Sequence, residues 1–273
     1  VTPSRVSQAI RQLEVRVGGA LFDRTSRRVA LTPLGEHLQA GLGPAYRQLE
    51  EAFARTRAMA ADVTGSLAVG MALRTSGGPR FLEIVKAFER KHPACAVNVV
   101  DIGFAQDPRE WMRTRAVDLV ATRLPLDDPE LVQGPVLSRE PRVALVSVDH
   151  PLAGREEVEL DELGGYHVAY NPRLPAELTD ALVPRSTPSG RALPRMEVWS
   201  IEEAMFAVAL GKLVHLTVPS FLEAYPHPGV VGVPIADMPL SETALVWLKG
   251  HETAKHVALA AVAAEDAAVR LGG

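Results

Sequence analysis

The sequence predicts an α/β body preceded by a short basic helical segment and one long helix, and three observations carry that expectation. Beyond residue 65, apolar runs of four to eight residues alternate with stretches of helical spacing, the pattern of strands buried on both faces and separated by helices. Apolar residues make up 47% of the 273, ample for packed cores rather than disorder. Charge is divided as well. Residues 1–28 hold six arginines against Glu14 and Asp23, a balance of +4, so the other 245 residues carry −8 of the net −4. A basic module on an acidic body is the electrostatic pattern of a nucleic-acid reader joined to something else.

The first helix is set by Thr2 and Pro3, a hydroxyl for the cap followed by proline where its missing N–H costs nothing. Val6, Ile10, Leu13 and Val17 recur at spacings of 4, 3 and 4 along one face, while Ser4, Ser7, Gln8 and Arg11 share another. Gly18 and Gly19 end it. The segment LFDRTSRRVALTPLGE (21–36) then concentrates Arg24, Arg27 and Arg28 before a second Thr-Pro start at Thr32 and Pro33. In the helix that follows, Leu38, Leu42, Ala45, Leu49, Ala52, Thr56, Met59 and Val63 alternate spacings of 4 and 3, a seam that calls for a partner helix. Phe53 adds apolar bulk to the same helix. Gly41, Gly43 and Pro44 weaken its middle, and a helix packed on its own body is the competing reading. Residues 62–65 are the expected hinge.

In the body the strands are read as SLAVGM, CAVNVVDI, VDLVA, RVALVSV, HVAY, LVHLT, GVVGVP and TALVWL, with helices over about 79–91 and 107–114. They are expected to form parallel sheets. Ser200 and Glu203 form a capping box for a helix ending at Gly211. The proline-rich piece from Pro172 to Pro194 is expected to be a surface excursion.

Catalytic signatures are missing: the chain has no G-x-G-x-x-G, phosphate loop, G-x-S-x-G or H-E-x-x-H. The eight histidines are scattered, and His251 and His256, five apart, miss the spacing of a helical metal pair. His215 inside an apolar strand reads as a hydrogen-bonded core histidine. The single Cys95 excludes a disulfide framework and reads as a small buried hydrophobe. The expectation is therefore a protein that is not an enzyme and uses neither metal nor cofactor. Lacking a charged-then-apolar leader or a run of roughly 20 apolar residues, it is expected in the cytoplasm, away from membranes.

VSQAIRQLE (6–14), LFDRTSRRVALTPLGE and the long helix together resemble the winged helix-turn-helix of the LysR-type transcriptional regulators, and the resemblance runs over essentially the whole chain. It implies that residues 1–33 are a partial winged helix-turn-helix, because members begin with a further helix and the positioning helix of the turn, ahead of what stands here at Val1. The stripe of Val6, Ile10, Leu13 and Val17 is then expected to be incompletely covered. Residues 34–65 would be the linker and dimerisation helix with its hinge, using Leu38, Leu42, Leu49, Phe53 and Met59. Residues 66–273 would be a two-lobed effector domain like type 2 periplasmic solute-binding proteins, lobe one being 66–124 with 235–273 and lobe two 125–234. The DNA contacts implied are Thr2, Pro3, Ser4, Ser7, Gln8 and Arg11 on the recognition helix and Arg24, Thr25, Arg27 and Arg28 on the wing.

Sheets of this kind bind ligands at the carboxyl ends of strands. By that rule the effector-binding candidates are Arg74, Thr75, Ser76, Thr122, Arg123, Asn171, Ser200 and Thr217. The two arginines and the hydroxyls on an acidic body suit a small carboxylate, and the N–H groups behind residues 74–76 would add an anion site. The function expected is a LysR-type transcriptional regulator, a homodimer or dimer of dimers on double-stranded DNA that responds to a small molecule. The alternative is a binding module that senses the molecule but no longer touches DNA.

If the wing neutralises phosphates, Arg28→Ala weakens binding to operator and random DNA alike and lowers the slope of log affinity against log salt by about one. A salt titration with both duplexes checks this, and unchanged affinity removes the wing from the interface.

Overall fold

A computed structural model describes residues 3–25, 28–60, 62–104 and 106–271. The chain divides into two compact units, Val1–Thr56 and Arg57–Gly273.

In the first unit, α1 (Pro3–Val17) ends where Gly18 turns out at a φ of 81°, a left-handed conformation that glycine adopts at little cost. Glu14 reaches forward to accept the backbone N–H of Leu21 at 3.0 Å, tying the helix end to the buried Leu21. β1 (Phe22–Thr25) and β2 (Arg28–Leu31) form an antiparallel hairpin with Phe22 opposite Leu31 and Thr25 opposite Arg28. The arginine-rich segment thus lies in a two-stranded ribbon. α2 (Pro33–Ala60) starts as the sequence predicts: Thr32 Oγ1 accepts from Gly35 N at 3.0 Å and donates to Ala20 O at 2.7 Å. A side chain at Gly35 would sit 2.2 Å from the Leu21 carbonyl oxygen, so glycine lets the helix start lie against the chain entering the hairpin. The helix continues through Pro44, and Leu42, Tyr46, Leu49 and Phe53 stand at least half exposed along it.

The second unit opens with β3 (Gly65–Met71), α3 (Phe81–Lys91), β4 (Cys95–Asp101), α4 (Pro108–Arg113), β5 (Leu119–Arg123) and β6 (Leu131–Glu140). After one intervening residue come β7 (Arg142–Ser147), β8 (Val168–Tyr170), α5 (Ala176–Leu182), β9 (Arg195–Glu197), α6 (Ile201–Ala209), β10 (His215–Thr217), α7 (Pro219–Ala224) and β11 (Val230–Ile235). β12 (Ser241–Leu248) and α8 (Ala254–Leu271) return to the first sheet. That sheet has the order β4-β3-β5-β12-β6, and the second lobe carries β10-β7-β11 beside the parallel pair β8-β9. The first core gathers Leu67, Val69, Phe88, Leu119, Leu245 and Leu259 between the sheet and the helices α3 and α8. Gly78, at a φ of 77°, has its missing Cβ 2.5 Å from Ser138 Oγ, so only glycine fits the turn leading into α3.

Three expectations need correction. The sheets are not parallel throughout, because β12 runs antiparallel to both β5 and β6, and β7 is antiparallel to both its neighbours. The second lobe does not begin at residue 125, since β6 pairs with β12 from Leu131 to Glu140; the chain crosses at 140–142 and returns at 235–241. The proline-rich piece is not merely a surface excursion either, because it contains α5 and buries Leu178, Val183 and Leu193.

His256 fastens α8 to the first sheet. Thr253 N and Oγ1 meet its Nδ1 at 3.3 and 2.8 Å, so Nε2 carries the proton and donates to Asp118 O at 3.0 Å. The Asp118 carboxylate in turn accepts from Ala68 N at 2.7 Å. Burial holds the His256 imidazole below its ordinary pKa, as it does His150 and His215, the last at about 4. A group whose folded pKa is depressed stabilises the fold above its unfolded value, about 6.5 for histidine. Urea unfolding is therefore expected to show constant stability from pH 8 to 7 and a decline as pH falls below 6.5. His256→Gln is expected to flatten that decline without abolishing it, since His215 and His150 act with the same sign; an unaltered slope would exclude His256 as a contributor.

Candidate functional site

A cavity of about 100 Å³ lies between the two lobes. Strand ends build its polar side: Thr122 and Arg123 close β5, Arg142 opens β7, His215 and Thr217 bound β10, and Ser241 opens β12. Apolar groups build the rest, with Leu73 and Phe104 from the first lobe facing Leu174, Leu178, Leu182 and Val198 from the second.

The two arginines are both buried, at 8% and 2% exposed, but their circumstances differ. All three guanidinium nitrogens of Arg142 have carbonyl acceptors: Nε donates to Thr217 O at 3.2 Å, Nη1 to Ala181 O at 3.5 Å and Nη2 to Leu182 O at 2.6 Å. Burial, with repulsion from Arg123, brings its pKa down to about 10. Arg123 donates through Nη1 to Ser241 Oγ at 2.8 Å, and its buried Nη2 has no partner among the described residues. Burial lowers its pKa, opposed by Glu140. That carboxylate is itself engaged by Ser220 N and Oγ at 3.3 and 3.0 Å.

His215 completes the cluster. Its ring lies 5.1 Å from that of Phe221, and burial first, then Arg123 and Arg142, depress its pKa to about 4. The imidazole is therefore neutral at physiological pH. Among the described residues its buried Nδ1 has no partner, so the reading of a hydrogen-bonded core histidine is corrected: the ring borders the cavity and leaves that nitrogen unused.

Of the eight effector-binding candidates, Ser76, Thr122, Arg123, Asn171 and Thr217 come together around this cavity. Asn171 Nδ2 donates to Phe104 O at 2.7 Å, joining the lobes, and Ser76 Oγ accepts from Leu73 N at 3.0 Å. The other three do not line it. Ser200 is the cap of α6, accepting from Glu203 N at 3.0 Å, and Glu203 returns to Trp199 N at 2.7 Å. Arg74 and Thr75 border a separate groove of about 450 Å³ with Leu82, Val99 and Glu223. There the Arg74 backbone N–H donates to Tyr225 Oη at 3.0 Å, and its guanidinium lies 5.6 Å from that ring's centroid. The anion site expected at residues 74–76 is thus split by the turn. Arg142, Ser241 and the α5 face were missed, although an arginine heading the apolar run RVALVS is a signal that could have found the first. Among the described residues, no three His, Cys, Asp or Glu side chains could hold a metal ion, and no helix is long and apolar enough to cross a membrane.

A family model for the LysR substrate binding domain matches residues 60–268, and one for the bacterial regulatory helix-turn-helix protein of the lysR family matches residues 1–36. The chain belongs to the LysR family. It is 23% identical to the HTH-type transcriptional regulator BudR of Raoultella terrigena over 89% of this chain and 84% of that protein. It is 28% identical to the Hca operon transcriptional activator HcaR of Escherichia coli strain K12 over 91% and 83% of the two chains. Its fold matches the crystal structure of full-length BenM with a TM-score of 0.60 at 19% identity, covering 99% of this chain and 89% of that one. As a LysR-type protein it is a DNA-binding transcriptional regulator that responds to a small molecule and works as an oligomer, and it is not an enzyme.

In this LysR chain the DNA-contact candidates fall as follows. Pro3, Ser4, Ser7, Gln8 and Arg11 are on α1, with Gln8 and Arg11 exposed and Ser7 partly covered, and Arg24, Thr25 and Arg28 are in the hairpin strands. Thr2 and Arg27 lie outside the described residues. Val6 and Leu13 of the apolar stripe are 46% and 37% exposed. Of the dimerisation candidates, Leu38 is partly buried, Leu42, Leu49 and Phe53 are exposed, and Met59 is in the last turn of α2.

The unequal bonding of the two buried arginines has a measurable consequence. Arg142→Met strands three carbonyl acceptors, at about 1–3 kcal/mol for a buried polar group left unpaired. Arg123→Met removes a charge whose burial is poorly compensated and is expected to be near neutral. Urea unfolding without ligand should rank Arg142→Met as the more damaging by at least about 1 kcal/mol; the reverse ranking would mean the roles are exchanged.

Proposed function

We propose that this LysR-type regulator is switched by a small carboxylate held at Arg123 in the interlobe cavity. The observation that carries this reading is the buried Nη2 of Arg123, a charged donor without a partner among the described residues, while the neighbouring Glu140 carboxylate is already bonded to Ser220. An unpaired buried charge is costly, and an anion at that nitrogen relieves the cost with a charge-assisted hydrogen bond. Ser76, Thr122, Asn171 and Thr217 are the surrounding polar groups. Ser200, Arg74 and Thr75 have no part in it.

The assembly reading also stands on exposure. Leu42, Tyr46, Leu49 and Phe53, spaced 4, 3 and 4 along α2, leave an apolar stripe open to solvent, which supports dimerisation through that helix, as a homodimer or as the dimer within a dimer of dimers. Residues 34–65 then act as linker, with 1–33 reading DNA through α1 and the hairpin. A DNA target places the protein in the cytoplasm.

The carboxylate reading is tested by thermal unfolding of the full chain with benzoate, 3-methylbutanoate, lactate and succinate, each against its amide. At least one acid is expected to raise the midpoint while its amide does not. Arg123→Met should abolish the rise and retain affinity for a mixed-sequence duplex. Stabilisation that survives Arg123→Met would move the effector elsewhere.

A further inference from the structure

We propose that Glu140 is a two-position switch for the lobes: with the lobes as they stand it holds Ser220 of the second lobe, and when they part it turns to Arg123 within the first. The exchange needs no ligand and stands apart from the carboxylate reading.

The strand register puts the two charges side by side. Thr243 of β12 stands opposite Arg123 of β5 on one side and Ser138 of β6 on the other, and two residues earlier Ser241 stands opposite Glu140. Residues two apart on a strand share a face, and directly opposite residues have their Cβ atoms about 5 Å apart. Arg123, Ser138, Glu140, Ser241 and Thr243 therefore form one buried polar row on one face of the sheet. Two hydrogen bonds run along it: Ser138 Oγ and Thr243 Oγ1 lie 2.8 Å apart, and Arg123 Nη1 donates to Ser241 Oγ at 2.8 Å. The second brings the guanidinium to the strand position that faces Glu140.

Yet the two charges do not pair. Arg123 Nη2 has no hydrogen-bond partner among the described residues, while the Glu140 carboxylate is turned to the other lobe, Oε1 accepting from Ser220 N at 3.3 Å and Oε2 from Ser220 Oγ at 3.0 Å. Glu140 still acts on Arg123 from there, opposing the fall in pKa that burial produces. A buried cation beside an anion that is committed elsewhere is an ion pair held unmade.

The way the lobes are joined decides which partner is lost when they move. Glu140 is carried by the first lobe through its pairing with β12, and Ser220 by the second, in α7, which packs on β7 and β11. Pro141 alone separates Glu140, the last residue of β6, from Arg142, the first of β7. Rotation at this crossing withdraws Ser220 from Glu140 and leaves Arg123 and Glu140 on the same sheet. Ser220 also borders the open groove of Arg74, Thr75 and Glu223, so water reaches its hydroxyl once the carboxylate has turned. Hydrogen bonds to a charged acceptor and a charge-assisted ion pair are of comparable strength. The two arrangements therefore lie close in free energy, which is what a switch requires. Asn171 Nδ2 to Phe104 O and Arg74 N to Tyr225 Oη, which also cross the cleft, join neutral groups, and parting exchanges them for water at little net cost. An anion that occupies Arg123 takes away the second partner and keeps Glu140 on Ser220, which ties the state of Arg123 to the angle between the lobes.

The test reads the interlobe distance in the ligand-free full chain by pulsed EPR, with spin labels at Asp127→Cys in the first lobe and Glu156→Cys in the second. Both positions are exposed and outside the polar row, and Cys95 is buried; an excess of unlabelled chain keeps distances between protomers out of the signal. Ser220→Ala is expected to raise the population at the longer distance at least about fivefold, the effect of one lost hydrogen bond. Glu140→Gln keeps an acceptor for Ser220 but removes the charge that draws Arg123, so it is expected to lower that population, alone and in the Ser220→Ala chain. Arg123→Met added to Ser220→Ala is expected to bring the population back towards wild type, because the parted form then has no ion pair to gain. Loss of structure does not produce opposite shifts, and thermal unfolding of each variant monitors it. Parting in Glu140→Gln as in Ser220→Ala would overturn the exchange and leave Glu140 a plain anchor between the lobes. An unshifted Ser220→Ala would overturn it as well, and a double variant as parted as Ser220→Ala alone would remove Arg123 as the second partner. Each of these failures leaves the carboxylate reading where it stands, since no ligand is present.

Discussion

A guanidinium taken out of water has to be repaid in hydrogen bonds and opposite charge, and the interlobe cleft contains two of them. Each of the three guanidinium nitrogens of Arg142 has a main-chain carbonyl, from Thr217 at the end of β10 and from Ala181 and Leu182 at the end of α5. Because Arg142 is also the first residue of β7, immediately after the crossing from the first lobe, its side chain ties the crossing point to two elements of the second lobe. Among the described residues, Arg123, at the end of β5, has the Ser241 hydroxyl and the neighbouring charge of Glu140. The fold therefore keeps one buried cation for structure and leaves the other incomplete. His215 fits the same division, since burial first, and then the two nearby positive charges, keep its ring neutral and prevent it from adding a third.

Polar and apolar contacts both cross the cleft. Asn171 donates to Phe104 O, Arg74 N to Tyr225 Oη, and Ser220 to Glu140, while Leu73 and Phe104 are partly buried against the apolar core of the second lobe. An interface of this kind between lobes permits relative motion at modest cost. A ligand bridging Arg123 in the first lobe and α5 in the second has contacts that depend on how the lobes sit, which is the condition for a ligand to shift a conformational equilibrium at all.

Much of this arrangement was legible because it rests on local chemistry. The starts at Thr32 and Ser200, the stop at Gly18 and the burial of Cys95 follow from residue type and spacing. β6 was missed because Gly134 and Pro135 interrupt its apolar pattern, and only pairing with β12 makes that segment a strand. α5 was hidden among prolines for a related reason: four residues, Leu178, Thr179, Leu182 and Val183, owe their place to a cavity formed by distant strands. Strand-end logic found Arg123 and Thr217, yet it could not separate Ser76 from Thr75. Adjacent residues on one turn face different spaces, and that direction is decided by the tertiary fold.

The distribution of charge adds a last constraint on how the two binding activities behave. If the basic front of the chain holds DNA through its arginines, that affinity falls steeply with salt. The body is acidic, with −8 over residues 29–273, and its field opposes the approach of any anion. An acid entering the cleft is therefore not steered there from a distance. If an acid is held by the proposed pairing at Arg123, that contact is withdrawn from water, where screening by salt is weak. On that reading the small molecule would be sensed by local pairing and desolvation while DNA is gripped by open charge, so a change in ionic strength that loosens the second would leave the first largely in place.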